Sequence, residues 1–241
     1  MRNIYILFTR ELKVYFDSLM AYILLILFLG FSGFFTWLYG SDVFLVGQVS
    51  LRTFFGIAYW SLFFFIPAIT MRLISEEKRS GTIELLLTKA VTDRQVVIGK
   101  FMAAMTLIII ALLFTLPYPL TLSFIGNLDA GEVILGYGGL VFLSAAYISI
   151  GIYASSITSN QIVAFLLTLF TGLFFQIIFG VLAGNLTGAA GGFFNYLSMS
   201  GHFESIARGV LDTRDLIYFG SIVVVGLYLA ELTLTRRNAN N

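Results

Sequence analysis

Long uncharged runs alternate with short charged segments along this chain. Five strongly apolar runs contain no Asp, Glu, Lys or Arg: 18–41, 53–71, 101–128, 133–203 and 216–230. A helix needs about 20 predominantly apolar residues to cross the hydrocarbon core of a bilayer. Helices also satisfy their backbone hydrogen bonds within one segment, as the lipid interior requires. The pattern therefore predicts an all-α, polytopic membrane protein.

The composition supports this prediction. The 241 residues are 59% hydrophobic and 11% charged, whereas soluble domains carry about 25% charged residues. A net charge of +1 gives no indication of a nucleic-acid partner. Cysteine is absent, which excludes disulfides and thiolate metal sites.

The distribution of basic residues determines how many spans we expect. The segment 184–215 begins with a long uncharged stretch that resembles another span. With six spans, 11 of the 14 basic residues lie on the side of both chain termini, and the positive-inside rule makes that side cytoplasmic. We therefore expect 184–215 to be an external segment with re-entrant or interfacial helices. Residues 1–241 then form a single transmembrane domain with spans at 20–39, 55–74, 101–124, 133–153, 162–183 and 216–235.

Residues 1–19 have the pattern of an amphipathic helix. Arg10 and Lys13 share a polar arc when successive residues are placed about 100° apart, and apolar residues share the opposite arc. This predicts an elbow helix in the interface plane before the first span. Glu11 lies within the apolar arc. Two interpretations remain open for it: a basic or hydrogen-bonding partner, or extension of the carboxylate to the lipid headgroups.

The segment 75–100, between the second and third spans, is the most densely charged part of the chain. It contains an apolar patch made by Ile83 and residues 85–87. Thr92 and Gln95 have the spacing of a capping box, which predicts the start of a helix that runs into the third span. The residues alone leave two interpretations open: a solvated hairpin, or a docking element with apolar anchors ringed by charge. All three prolines lie in the two flanking spans, at Pro67, Pro117 and Pro119.

The sequence predicts no enzyme site. His202 is the one histidine of the chain, and its neighbour Ser200 cannot supply triad geometry by proximity alone. Gly99 and Lys100 lack the upstream glycine and the following Ser or Thr of a phosphate-binding loop. We therefore predict no catalytic, cofactor-binding or metal-binding residues and no nucleotide hydrolysis by this chain.

Residues 76–92, EEKRSGTIELLLTKAVT, and residues 95–101, QVVIGKF, cover most of the charged segment and the first residue after it. Together they resemble the first cytoplasmic loop of ABC-2-type transporter permeases. Residues 10–22, RELKVYFDSLMAY, are similar to the elbow helix and first-span entry of that family. The overall likeness is to the permeases of gliding-motility-associated transporters. Ala90 departs from the family pattern, which often has proline there.

This resemblance implies a function and partners. It implies a bacterial inner-membrane permease for gliding motility or envelope export, paired with an identical or different second permease. A separate cytoplasmic ABC ATPase dimer would bind the ATP and dock on the chain. The alternative is a membrane anchor of an envelope machine that transports nothing.

The resemblance also implies roles for three groups of residues. Those expected to form the coupling helix that docks the ATPase are Gly81, Thr82, Ile83, Glu84, Leu85, Leu86 and Leu87. The residues expected to form an ionic hinge between elbow and loop are Arg10, Glu11, Lys13, Glu76, Glu77 and Arg79. Those expected to cap the outer end of the transport path are Phe193, Phe194, Tyr196, His202, Phe203 and Glu204.

Overall fold

The computed structural model describes residues 2–38, 50–82 and 91–240. Every regular element within these ranges is a helix, which confirms the all-α prediction. In chain order the helices are α1 Arg2–Asp17, α2 Leu19–Trp37, α3 Arg52–Thr70, α4 Ser75–Ser80, α5 Asp93–Leu113, α6 Pro117–Ile125, α7 Ala130–Ile157, α8 Gln161–Asn185, α9 Gly188–Leu197, α10 Met199–Ala207 and α11 Thr213–Asn240. The short helices α9 and α10 lie in the predicted external segment 184–215.

Six helices of the described residues are long and apolar enough to cross a membrane, as predicted. The third of these candidate spans, Asp93–Ile125, combines α5 and α6. Its helix changes to turns at 114–116, and Pro117 begins α6. Proline is tolerated in a first helical turn because the amide it lacks would have no intrahelical partner there. The prolines of this span therefore mark a break between two helices.

The helix α7 lies at the centre of the bundle and contacts α3, α5, α8, α10 and α11. Tyr147, near its middle, is fully buried. Its hydroxyl lies 3.2 Å from the carbonyl oxygens of Phe63 in α3 and Thr168 in α8. A Cβ atom at Gly172 would overlap the tyrosine ring, so the close approach of α8 requires glycine there. This one side chain thus joins three candidate spans.

The bundle has two ends that differ in their chemistry. One end, which we call the loop end after the loop between α4 and α5, contains α1, α4, the N-terminal turns of α5 and the C-terminal turns of α7. The C-terminal part of α11 also reaches it, since Thr235 Oγ1 donates to Asp93 Oδ2 at 3.0 Å. The opposite end contains α6, α9, α10 and the first turns of α7 and α11. Which end faces the cytoplasm, and the re-entrant or interfacial character of α9 and α10, stay predictions.

Candidate functional site

The helix α1 packs directly on the first turns of α5 at the loop end. Leu7 and Val96 are buried against each other. An added Cβ at Gly99 would lie 2.9 Å from Leu7 Cβ, so the two backbones approach closely at that glycine. Apolar packing therefore fixes α1 where its Glu11 side chain reaches α5.

Four charged side chains form a closed ring between α1, α4 and α5. Lys100 Nζ lies 3.1 Å from Glu11 Oε1 and 3.0 Å from Glu77 Oε2. Arg10 Nη2 lies 2.7 Å from Glu77 Oε1, and Arg10 Nε donates to Glu11 Oε1 at 3.2 Å. Each cation thus contacts both carboxylates. We call these four residues the ion ring.

The ion ring is largely removed from solvent except at Arg10, whose side chain is 42% exposed. The side chain of Lys100 is 2% exposed and that of Glu11 is 9% exposed. A buried ion costs several kcal/mol in desolvation unless partners compensate it. Burial by itself raises the pKa of Glu11, but the charges and hydrogen bonds of Lys100 and Arg10 outweigh this and leave the pKa below its ordinary value. The ring is therefore held together by charged groups.

Ser155 of α7 fastens the start of α4. Its Oγ accepts from the backbone amides of Ile74 and Ser75, both at 3.0 Å. The same hydroxyl donates to the carbonyl of Met71 at 3.1 Å. The first backbone amides of a helix have no partner within the helix. The Ser155 hydroxyl therefore caps the N-terminus of α4 from the neighbouring helix α7. Lys78 Nζ also donates to the carbonyl of Ser156. The entry to the loop is thus tied to the central helix.

Defined caps close both ends of the loop. Gly81 ends α4 with a φ of 71°, a left-handed conformation that glycine adopts without a Cβ penalty. At the other end, Thr92 Oγ1 accepts from the Gln95 amide at 3.3 Å, and Gln95 Oε1 accepts from the Thr92 amide at 3.3 Å. This is the predicted capping box. Asn3 Nδ2 lies 3.5 Å from the same glutamine oxygen, which adds a contact from α1.

The structure brings together part of the expected ionic hinge. Arg10, Glu11 and Glu77 meet in the ion ring. Among the described residues, no ion pair within 4.0 Å involves the other expected members, Lys13, Glu76 and Arg79. For Glu11, the geometry matches the open interpretation of a basic partner.

Lys100 is the member of the ring that the sequence prediction left out. A signal for it was present, because Lys100 lies on the same helical arc as the buried residues Val97 and Ala104. A lysine on the buried arc of one helix is expected to pair with a carboxylate on the buried arc of another helix. Glu11 on the apolar arc of α1 is such a carboxylate.

The expected docking residues are only partly described. Gly81 and Thr82 directly follow α4, and the Ser80 and Thr82 hydroxyl oxygens are 2.8 Å apart. Residues 83–87, namely Ile83, Glu84, Leu85, Leu86 and Leu87, lie outside the described residues. The coupling helix therefore stays a prediction.

The expected cap residues lie at the opposite end but play different parts. His202 Nδ1 is 2.6 Å from Asp215 Oδ1, and the imidazole stacks on Tyr218 with centroids 4.0 Å apart. These contacts tie α10 to α11. Phe203 is buried and stacks on Tyr59 of α3 at 5.1 Å. The others are the exposed Phe193, Tyr196 and Glu204, and Phe194, whose ring lies 5.9 Å from that of Phe179.

Within the described residues, no group of three or more His, Asp and Glu side chains is arranged to hold a metal ion.

Comparison with known proteins assigns the chain to a family. A search of curated proteins gave no match. Residues 46–232, which make up more than half of the chain, match the family model of the ABC-2 family transporter proteins, and the chain therefore belongs to that family.

Proposed function

We propose that the chain is the membrane subunit of an ATP-driven transporter and that residues 81–87 dock a separate ABC ATPase. The observation that carries the proposal is the ion ring, which joins the helices on both sides of the loop to each other and to α1. Glu77 lies in α4, before the loop, and Lys100 lies in α5, after it. Membership of the ABC-2 family supports pairing with an ATPase subunit.

The contacts at the loop suggest how movement would pass into the membrane. A partner that displaces residues 81–87 acts on α4 at one end and on α5 at the other. The chain connects α4 to α3 through only 71–74, and α5 is itself a candidate span. Because the ion ring links α4 to α5, both candidate spans receive the displacement together. The helix α1 would follow through Arg10 and Glu11.

The proposal includes an orientation and an assembly. The loop end and both termini would face the cytoplasm of a bacterial inner membrane, since most basic residues lie on that side. The ATPase would act as a dimer, with a second permease subunit, identical or different, beside this chain. A role in gliding motility or envelope export rests on the overall likeness of the chain to the permeases of gliding-motility-associated transporters. ATP would bind the partner only.

The test is purification of the full-length chain, in native membranes or detergent, with the ABC ATPase encoded beside it. We expect a stable complex in native mass spectrometry and ATP hydrolysis that depends on the permease. Glu84→Lys or Leu85→Asp should abolish that dependence while the permease still folds. Glu76→Lys, which reverses an exposed charge near the loop, is the matched control and should have little effect.

Two results would contradict the proposal. A chain that binds no ATPase would exclude the docking role. A complex that forms but never moves a cargo in proteoliposomes would favour the anchor alternative instead.

A further inference from the structure

A cavity of about 610 Å³ opens at the opposite end of the bundle. Its walls come from α3, the outer half of α8, and α9 and α10. The lining includes Gly56, Tyr59, Trp60, Gln176, Ser200 and Glu204. The volume falls within the range of about 300–1,000 Å³ that small-molecule sites occupy. No role discussed so far uses this space.

Gln176 is the one residue lining the cavity whose buried side-chain polar atoms have no hydrogen-bond partner among the described residues. The side chain is 3% exposed, and neither its amide nitrogen nor its amide oxygen has a hydrogen-bond partner among the described residues. A primary amide can donate two hydrogen bonds and accept others. Leaving such a group buried without a hydrogen-bond partner is costly, because the desolvation of its polar atoms is not compensated. The unpaired amide therefore suits a ligand group that can both accept and donate hydrogen bonds.

The backbone at Gln176 departs from a regular α-helix. Residues Phe174–Ile178 form a π turn within α8, a rare conformation that is frequent at functional sites. The hydroxyl of Tyr59 donates to the backbone carbonyl of Gln176 at 3.3 Å. This contact joins α3 to the π turn, so the amide is held between two candidate spans.

Among the described residues, Glu204 is the one charged residue that lines the cavity. Around Gln176 the walls are aromatic, aliphatic or neutral and polar, as with Trp60, Ile177 and Ser200. Glu204 is exposed, and it also lines a neighbouring cavity of about 360 Å³ that includes Arg52 and Arg208. An anionic ligand group beside Gln176 would therefore find no positively charged partner in the wall of this cavity.

We propose that this cavity binds an amphiphile through a hydroxyl- or amide-bearing headgroup without negative charge, which hydrogen-bonds to Gln176. The headgroup lies against the amide, and the apolar part lies along Trp60 and the aliphatic wall. The further statement that this amphiphile is the cargo rests on the proposed transport function. Binding itself needs neither the ATPase nor transport, so the two can fail separately.

The chain offers a built-in reporter of this site. It contains two tryptophans, and Trp60 lines the cavity whereas Trp37 lies in α2. In the Trp37→Phe variant, fluorescence therefore reports on the cavity wall alone. The full-length variant would be placed in phosphatidylcholine nanodiscs and titrated with 1-(9,10-dibromostearoyl)glycerol, a bromine-quenching probe with a hydroxylated neutral headgroup. Dibromostearate, with the same chain and a charged headgroup, is the matched probe.

We expect saturable quenching by the glycerol ester and only weak, linear quenching by the fatty acid. In the Trp37→Phe background, Gln176→Leu should weaken apparent affinity for the ester about tenfold, the effect of one hydrogen bond to a buried amide. Gln161→Leu, which alters a glutamine at the loop end of the same helix, should leave the affinity unchanged. Gln176→Leu should also keep or raise Tm, because it removes an unpaired polar group.

Several outcomes would overturn the proposal. Linear quenching by both probes would mean lipid contact only. Equal saturable quenching by both would mean that the headgroup is not recognised. Unchanged affinity in Gln176→Leu would remove the amide from the site, and a fall in its Tm would assign the amide a structural role instead.

Discussion

Lys100 Nζ of α5 lies 3.0 Å from Glu77 Oε2 of α4, and the two residues lie on either side of the proposed docking segment. This contact joins the two ends of the loop without passing through the loop itself. Lys100 also contacts Glu11 of α1. A single buried cation therefore holds three elements in fixed positions at the loop end.

Lys100→Met should destabilise the protein strongly. The substitution keeps much of the side-chain volume but leaves Glu11 and Glu77 with only Arg10 as a cationic partner in the ring. Removal of one partner of a buried ion pair costs about 3–5 kcal/mol. Thermal unfolding in detergent would show a clearly lower Tm. Lys13→Met, at an exposed position of α1, is the control, and equal Tm values for both variants would contradict a structural role of the ring.

Glu77→Gln should uncouple the proposed ATPase from the membrane helices more than it unfolds the chain. Gln keeps the shape of the side chain but removes one of the two anions that bind Lys100 and Arg10. In the purified complex we expect permease-dependent ATP hydrolysis to fall several-fold. The neighbouring Glu76→Gln changes an exposed carboxylate and should have little effect. The same loss in both variants would argue against transmission through the ring.

The depressed pKa of Glu11 predicts a pH dependence of stability. Burial opposes the ionised form, but Lys100 and Arg10 dominate and hold the folded-state pKa below the ordinary value of 4.5. A group of this kind contributes stability that is present above its unfolded pKa and is lost as the pH falls through its folded pKa. Tm should therefore fall as the pH is lowered below 4.5.

Glu11→Gln provides the control for that titration. This variant should have a lower Tm at neutral pH and a smaller further loss in acid, because the titrating carboxylate is gone. Parallel pH profiles of Tm for both proteins would show that other groups cause the acid loss.

Gly151→Ala should destabilise the packing of α7 on α3. An added Cβ would overlap the Thr70 side chain, and overpacking of this kind costs about 1–3 kcal/mol. Gly138→Ala in the same helix is the matched control, since no atom lies within 4 Å of its added Cβ. That variant should be neutral or slightly stabilised, because alanine favours helix over glycine. A Tm difference between the two variants in the opposite direction would contradict the packing described here.

Simple rules were enough to predict much of this fold from the sequence. The five uncharged runs, together with the distribution of basic residues, predicted the six candidate spans, because lipid requires long apolar helices and cytoplasmic loops are enriched in Lys and Arg. The Thr92 and Gln95 pair predicted a helix start because capping depends on local spacing alone. Both features depend on residues that are close together in the chain.

The parts that escaped prediction depend on contacts between distant residues. Ser155 as the cap of α4 joins positions about 80 apart, and nothing in the local pattern of either segment shows it. The choice of Glu77 over Glu76 for the ion ring follows from the orientation of a six-residue helix. The π turn at Gln176 leaves the apolar composition of α8 unchanged, so the uncharged run predicted a continuous span.

The π turn also makes the backbone geometry at Gln176 sensitive to chain length. A π turn accommodates one more residue than an α-helix of the same rise, and each residue of an α-helix turns it by about 100°. Deletion of one residue within Phe174–Ile178 would restore a regular helix and keep the inner part of α8 unchanged. The outer residues would keep their register, whereas Gln176 would lose the backbone geometry that holds it. A single-residue change in length could therefore alter the cavity without disturbing the loop end.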